Sequence, residues 1–290
     1  MEYLCHILVL IAIYSILASS LDLLAGHGGL LSIAHAAFYG LGAYTSAVAA
    51  VRFGAPFLVG VLAGVIVATV LSFIVSMPSL RLSGDYFVIA TFAFQAILLS
   101  TLNNWTELTR GPLGIPGIPR PIILGWHVQS QLDFLILAAG FGAFAPTVVH
   151  RLTSAPFGRV LHAIREDDVS ARALGKNTLY FKVTAFAVSA GLAAMAGSLY
   201  AHYVTYIDPT SFTVMESILI ISMVIIGGAG SLWGPLVGAV VLVTLPEALR
   251  FVGLPSAAAA NLRQIIYGTL LVLMMMFRPR GLIGKYSFAK

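Results

Sequence analysis

Residues 158–175, GRVLHAIREDDVSARALG, bring together the densest set of charged side chains in the chain. Six charged residues, three of them consecutive acids, lie among apolar residues in this run. They are Arg159, Arg165, Glu166, Asp167, Asp168 and Arg172. Side chains of both signs form charge-assisted hydrogen bonds with a complementary surface. Adjacent acids are repelled by anionic lipid, which disfavours a helix that lies on the membrane. The run therefore favours docking into a groove on another protein, with a solvated connector as the alternative.

The apolar residues of this run predict how it folds. Residues at three- and four-residue spacing define one apolar face: Phe157, Val160, Leu161, Ile164, Ala171 and Leu174. This spacing predicts a short amphipathic helix, or two helices joined near Asp168. Pro156 suits the first turn and Gly175 suits a C-terminal cap.

The sequence lacks the motifs of nucleotide-binding, metal-dependent and serine hydrolase sites. SARALGKN at 170–177 is the nearest match to a P-loop, but it has Ser for the first Gly and Asn for the hydroxyl residue. There is no HExxH, no pair of cysteines and no GxSxG. We therefore predict no catalytic residues, cofactor or metal, which argues against a membrane enzyme.

Ionisable residues near apolar segments could line a pathway, because a charge that faces lipid is costly. Most of these acids fall at predicted span ends, where water reaches them: Asp22, Asp85, Asp133, Asp208 and Glu216. Glu247 is the exception and has Arg250 one turn later as a possible partner. His35 is expected either to pack against a backbone carbonyl or to face a polar cavity. No chain of intramembrane acids suggests a proton relay, which weakens the case for an ion-coupled transporter.

The composition places these residues in a lipid bilayer. Hydrophobic residues make up 59% of the 290 residues, charged residues 9%, and the mean hydropathy is +0.96. Soluble domains have about 25% charged residues. The N-terminus has no basic region or clear cleavage site, so it is expected to be a retained span. The fold class is therefore an all-α polytopic membrane protein forming a single domain over residues 1–290.

Apolar stretches of about 20 residues predict about nine transmembrane helices, within a range of about eight to ten. They lie near 3–22, 30–51, 56–77, 86–102, 133–150, 183–204, 215–229, 234–252 and 262–278. The fourth and seventh are short, and GGAGSLWGP at 227–235 predicts a break in the membrane or at its edge.

Basic residues predict the orientation. Six of the 16 Lys and Arg lie in 151–182 and four in 278–290, which places both regions in the cytoplasm. The loop at 103–132, which contains TRGPLGIPGIPRP, is then external and too rich in Pro and Gly for a regular helix. An odd number of spans leaves the N-terminus outside.

Several segments, in this order, resemble the branched-chain amino-acid ABC transporter permease family, in its LivM-like branch. They cover most of the chain: GLLSIAHAAFYGLGAY (29–44), LRLSGDYFVIATFAFQAI (80–97), TRGPLGIPGIP (109–119), GRVLHAIREDDVSARALG (158–175), AFAVSAGLAAMAGSLYA (185–201) and GGAGSLWGPLVGAVVL (227–242). His27 between glycines and Lys176 after LG depart from the usual family pattern.

The resemblance implies a subunit of an importer in the bacterial inner membrane, with a cytoplasmic C-terminus. Its partners would be a second, LivH-like permease, two cytoplasmic ATPases and a periplasmic substrate-binding protein. Residues 158–175, within the cytoplasmic loop 151–182, would be the coupling helix, with the ATPase contacted through Arg159, Ala163, Arg165, Glu166 and Leu174. Candidates for the transport pathway are Gly40, Gly42, Tyr44, Phe87, Thr91, Thr109 and Gly111.

The transported solute is left open by the resemblance. Branched-chain or other neutral amino acids are expected, with urea or short amides as alternatives within the same family. An ion-coupled secondary transporter that acts alone is the alternative outside the family.

Overall fold

A computed structural model describes residues 2–82, 84–123, 125–250, 256–278 and 281–284. The first half of the chain forms α1 (Glu2–Asp22), which continues as a π-helical turn (Leu23–His27), then α2 (His35–Phe53), α3 (Phe57–Ser79) and α4 (Asp85–Asn104). The loop that follows holds α5 (Thr106–Thr109), a 3₁₀ turn (Gly111–Leu113), β1 (Ile115–Pro116), β2 (Ile122–Ile123) and β3 (Trp126–His127).

The second half begins with α6 (Gln131–Ser154), followed by the short helices α7 (Pro156–Glu166) and α8 (Asp168–Ala173). Next come α9 (Thr178–Val204), β4 (Tyr206–Ile207), a 3₁₀ turn (Pro209–Phe212), α10 (Val214–Gly227), α11 (Gly234–Arg250) and α12 (Ser256–Phe277).

Within the described residues, five helices have the length and apolar composition needed to cross a membrane. They are α1 with its π turn, α3, α4, α6 and α9, and α10 and α11 are shorter apolar helices. A helix of about 20 apolar residues spans the hydrocarbon core with its backbone hydrogen bonds satisfied internally. The chain is therefore an all-α polytopic membrane protein, as predicted.

Helix boundaries differ from the sequence prediction in two places, and the predicted break is confirmed. The fourth segment is not short, because α4 covers 20 residues. The second helix begins at His35 and not at residue 30. The segment at 29–34 that precedes it is not helical, and its first residue, Gly29, has a left-handed φ of 67°. The predicted break at 227–235 is present: α10 ends at Gly227, and Gly228 and Gly230 have φ of 109° and 73°.

Helices α1 and α9 form the centre of the bundle. Two thirds of the most apolar stretch of each, 67%, is buried, against 28% for α3 and α4. Small residues on α9 let α2 approach at backbone distance: a Cβ on Gly197 would lie 1.9 Å from the carbonyl oxygen of Tyr39. Conversely, a Cβ on Gly42 of α2 would lie 2.0 Å from the carbonyl oxygen of Ala194 on α9. This crossing depends on glycine on both helices.

The loop at 103–132 and the helices α7 and α8 lie at opposite ends of the bundle. At the loop end, β1 pairs with β4, which follows α9, and His202 near the end of α9 contacts the Pro119 carbonyl oxygen at 2.7 Å. A second pairing of β2 with β3 forms a small hairpin inside this loop. The helices α7 and α8 precede the other end of α9. The long helices therefore separate the Pro- and Gly-rich loop from the charged run.

Substitution of Gly197 tests the α2–α9 crossing. Gly197→Ala should lower stability by about 1–3 kcal/mol, because the added methyl group overlaps the α2 backbone. Gly140→Ala on α6 is the matched control, since a Cβ there meets nothing within 4 Å. Thermal unfolding of the purified variants in detergent measures the difference. Equal melting temperatures for the two variants would contradict the close crossing.

Candidate functional site

The charged run forms two helices with a break at Asp167. This residue is extended (φ −155°, ψ 104°), and its Oδ1 accepts hydrogen bonds from the backbone N–H groups of Val169 (2.9 Å) and Ser170 (3.1 Å). Asp167 therefore ends α7 and caps α8. Pro156 occupies the first turn of α7, and Gly175 follows α8 with φ of 76°. The alternative of two joined helices is confirmed, with the join one residue before Asp168.

The two helices have a buried face and an exposed face. The residues buried against the bundle are Gly158, Leu161, Ile164 and Ala171. The exposed face carries four of the five residues predicted to couple to the ATPase: Arg159, Ala163, Glu166 and Leu174. Leu174 is 80% exposed, although its spacing predicted the apolar face, and Val169 is 75% exposed.

Arg165, the fifth predicted coupling residue, lies differently from the other four. It is half-buried, and its guanidinium donates a hydrogen bond to the carbonyl oxygen of Gly26 in the π turn after α1. Its side chain covers Gly29, where a Cβ would lie 2.9 Å from the Arg165 Cγ. Arg165 therefore ties α7 to the end of α1.

A chain of polar contacts continues from α7 into the bundle. His162 Nε2 lies 2.6 Å from His27 Nδ1, and the two rings stack with centroids 4.9 Å apart. His27 Nε2 lies 3.5 Å from Asp22 Oδ2, and Asp22 Oδ1 accepts a hydrogen bond of 2.8 Å from the N–H of Gly230. We call His162, His27, Asp22 and Gly230 the relay. It joins α7, the end of α1 and the break between α10 and α11.

Asp22 does not lie where the sequence analysis expected. Its predicted place was a water-accessible span end, but only 1% of its surface is exposed. The reason is that α1 continues through the π turn to His27, so that Asp22 lies inside the helical segment and not at its end. His27 stands out in the sequence between two glycines, but the relay cannot be predicted from it, because two of its contacts join residues 135 and 208 positions apart.

The relay borders a cavity of about 230 Å³ at this end of the bundle. Besides Asp22, His27 and His162, its polar lining includes His150 and Ser231. In the described ranges, no group of three or more His, Cys, Asp or Glu residues is arranged to hold a metal ion. The relay thus connects α7, the end of α1 and the break between α10 and α11 through polar contacts.

Three of the pathway candidates lie on α2. Gly40 and Tyr44 pack against Phe212, with the rings of Tyr44 and Phe212 5.9 Å apart, whereas Gly42 faces α9. Among the residues that the structure describes, the buried hydroxyl of Tyr44 has no hydrogen-bond partner. A polar group that is buried without a partner is costly.

The other four candidates lie on α4 and in the loop at the far end. Phe87 packs on Phe186, and Thr91 Oγ1 accepts a hydrogen bond of 3.1 Å from the N–H of Ile33. Thr109 donates to the carbonyl oxygen of Leu102 at 2.7 Å and accepts from the N–H of Gly111 at 3.1 Å. The structure does not bring the seven candidates into one cavity, and their role in transport stays a prediction.

Two other residues singled out from the sequence have identified contacts. His35 is buried, its Nε2 lies 2.7 Å from Ser20 Oγ on α1, and its ring also hydrogen-bonds the backbone carbonyl of Leu17, as expected for a packed histidine. Glu247 accepts a hydrogen bond from the Tyr3 hydroxyl, whereas the side chain of its expected partner, Arg250, lies outside the described residues. Glu247 therefore links the start of α1 to α11.

Two substitutions at Asp22 test the contact with the break. Asp22→Leu should lower stability by about 1–3 kcal/mol, because the Gly230 N–H stays buried without an acceptor. Asp22→Asn keeps a carbonyl acceptor and should melt closer to the wild type. Thermal unfolding in detergent measures both. The same loss in both variants would show that the negative charge, and not the acceptor, stabilises the break.

The comparisons with known proteins agree with this architecture. Residues 3–275 match the family model described as branched-chain amino acid transport system, permease component. The chain is 34% identical to the LivM permease protein of the high-affinity branched-chain amino acid transport system of Salmonella typhimurium, with 93% of this chain and 68% of that protein covered.

The LivM permease protein of Escherichia coli K12 is also 34% identical, with 96% of this chain and 69% of that protein covered. The LivH permease protein of Salmonella typhimurium is 24% identical, with 96% and 93% covered. No solved structure matches the chain significantly. The match over residues 3–275 and the identity to LivM proteins establish that this chain belongs to the branched-chain amino acid transport permease family.

Proposed function

We propose that this chain is a membrane-spanning permease subunit of an ABC importer that moves branched-chain or other neutral amino acids inward, with ATP hydrolysis supplied by separate subunits. The observation that carries the proposal is the two-faced pair α7 and α8. Its outer face exposes Leu174 and Val169 beside charges, and its inner face is tied to the bundle through His162 and Arg165. A helix pair with these two faces can bind a partner on its outer face and transmit the partner's movement to the end of α1.

The coupling mechanism follows from these contacts. The apolar residues of the outer face seat in a groove of the ATPase, and Arg159 and Glu166 set the register. When the groove moves, α7 pulls on the end of α1 through Arg165 and His162. Asp22 then passes the movement to Gly230, between α10 and α11. A non-helical junction between two membrane helices is a place where two packed arrangements can interconvert.

The proposed topology has nine spans: α1, α2, α3, α4, α6, α9, α10, α11 and α12. The basic residues of 151–182 favour a cytoplasmic location for the loop that carries α7 and α8. The backbone N–H groups of Leu282 and Ile283 bond the last carbonyls of α10, at 2.9 Å each, next to the break that the relay reaches. These contacts support a cytoplasmic C-terminus, an external N-terminus and an external loop at 103–132.

The proposed partners are a second, LivH-like permease, two cytoplasmic ATPases and a periplasmic binding protein, in the bacterial inner membrane. The similarity to both LivM and LivH proteins supports the permease pair. The names of these relatives favour branched-chain amino acids as the solute.

Substitutions on the outer face test the coupling surface. Leu174→Asp and Glu166→Arg should each lower ATPase co-purification and ATP-driven uptake by about tenfold, because a hot-spot contact contributes about 1–2 kcal/mol or more. Arg151→Glu is the matched control, since Arg151 is exposed at the end of α6 outside both helices. Pull-down of the ATPase and uptake by vesicles are the measurements. Unchanged co-purification and uptake in both variants would contradict the assignment.

Reconstitution distinguishes the importer from a transporter that acts alone. Vesicles that contain this chain, its permease partner and the ATPases should take up radiolabelled leucine only with ATP and the binding protein. Isoleucine and valine should compete with leucine, whereas urea should not. Vesicles that hold this chain alone should show no uptake, even under a cation gradient. Uptake driven by that gradient would contradict the ABC mechanism, and competition by urea would change the proposed solute.

A further inference from the structure

Four basic side chains surround an open cavity where the end of α3 meets the start of α9. They are Arg81, Arg172, Lys176 and Lys182, and the cavity has a volume of about 400 Å³. Its remaining lining comes from Leu80 and residues 177–179. The cavity is separate from the relay and from the exposed face of α7. We call it the basic cavity.

The charges of the basic cavity are not balanced. Asp168 forms ion pairs with Arg172 and with Lys182, the latter at 3.3 Å between Nζ and Oδ2. Burial raises the pKa of Asp168, but the hydrogen bond from Thr178 and the Lys182 ammonium group outweigh it, so that the pKa lies below its usual value. Among the described residues, the carboxylate of Asp168 thus pairs with two of the four cations. Across the described part of the chain, Arg81 and Lys176 form no ion pair.

The start of α9 adds to the positive potential. This helix has 27 residues, and the Asn177 side chain caps it by accepting from the N–H of Tyr180 at 3.2 Å. The first N–H groups of a helix carry a partial positive charge and favour anions. Because Asn177 and Thr178 line the cavity, these groups reinforce the four cations.

The surroundings of the basic cavity are those of a membrane interface. The cavity lies at the level where two long apolar helices end. Within six residues of its lining in the sequence, Met77, Leu82, Tyr86 and Tyr180 are exposed by 46–69% of their surface. Exposed tyrosines next to basic residues and apolar side chains are typical of the headgroup region of a bilayer.

We propose that the basic cavity binds the phosphate of an anionic phospholipid headgroup, with Arg81 and Lys176 as the principal ligands and the adjacent apolar side chains against the acyl chains. Two cations without ion pairs suit a phosphate diester that bears one negative charge. Basic pockets between membrane helices recognise lipid headgroups in this way. The inference does not depend on the transported solute or on the coupling mechanism.

Lipid retention by the full chain, purified with its co-purifying subunits, tests the proposal. Native mass spectrometry after exchange into equal amounts of phosphatidylglycerol and phosphatidylcholine should show preferential retention of phosphatidylglycerol. Arg81→Gln/Lys176→Gln should weaken that preference by about tenfold, because each cation near the surface contributes substantially to anionic lipid binding. Arg81→Lys/Lys176→Arg should keep it, since both charges remain. Arg151→Gln is the control for a cation outside the cavity.

Three outcomes would overturn the proposal. The first is an unchanged preference in the double Gln variant, with a wild-type elution profile as evidence of folding. The second is displacement of phosphatidylglycerol by millimolar inorganic phosphate, which would identify a free anion as the ligand. The third is loss of the lipid from the wild type whenever the ATPase is bound, which would assign the surface to the protein partner. None of these outcomes bears on uptake, so the proposed transport function is tested separately.

Discussion

Every backbone polar group at membrane depth needs a partner, and the break between α10 and α11 is where this constraint is hardest to meet. The N–H of Gly230 is satisfied by the buried Asp22, and the carbonyls of Ile226 and Gly227 are satisfied by the N–H groups of Leu282 and Ile283. The break is thus held by the end of α1 and by a segment that follows α12. Three parts of the chain distant in sequence meet at the junction between α10 and α11.

The same contacts account for the position of α7 and α8. Asp22 is accompanied by His27, and His27 stacks on His162 of α7. Arg165 adds a bond to the Gly26 carbonyl in the π turn, where regular helical hydrogen bonding is already disturbed. The charged run is therefore docked on the least regular part of the bundle. A rigid helix pair placed on such a site can bias the arrangement of the break, which packing between regular helices alone would resist.

The two polar regions at this end of the bundle differ in enclosure and in charge balance. The relay is enclosed, with Asp22 and His27 both buried, and its groups satisfy one another. The basic cavity is open and retains an excess of positive charge after Asp168 has been paired. Enclosed, mutually satisfied groups transmit displacement between elements, whereas an open excess of charge attracts a ligand from outside. Both lie in or next to the stretch that stood out as the most charged of the sequence.

Hydropathy alone determined the class of fold, because lipid demands long apolar helices whatever their neighbours are. Periodicity within 158–175 determined an amphipathic helix pair, and the glycines of GGAGSLWGP determined a break. The burial of Asp22, the inward turn of Arg165 and the outward position of Leu174 were decided by tertiary structure. Each depends on which helix ends meet, and the relevant partners are more than 130 residues away or belong to another face of the same helix. A local pattern records propensity and spacing, but pairing between distant polar groups arises only when the bundle brings them into one low-dielectric site.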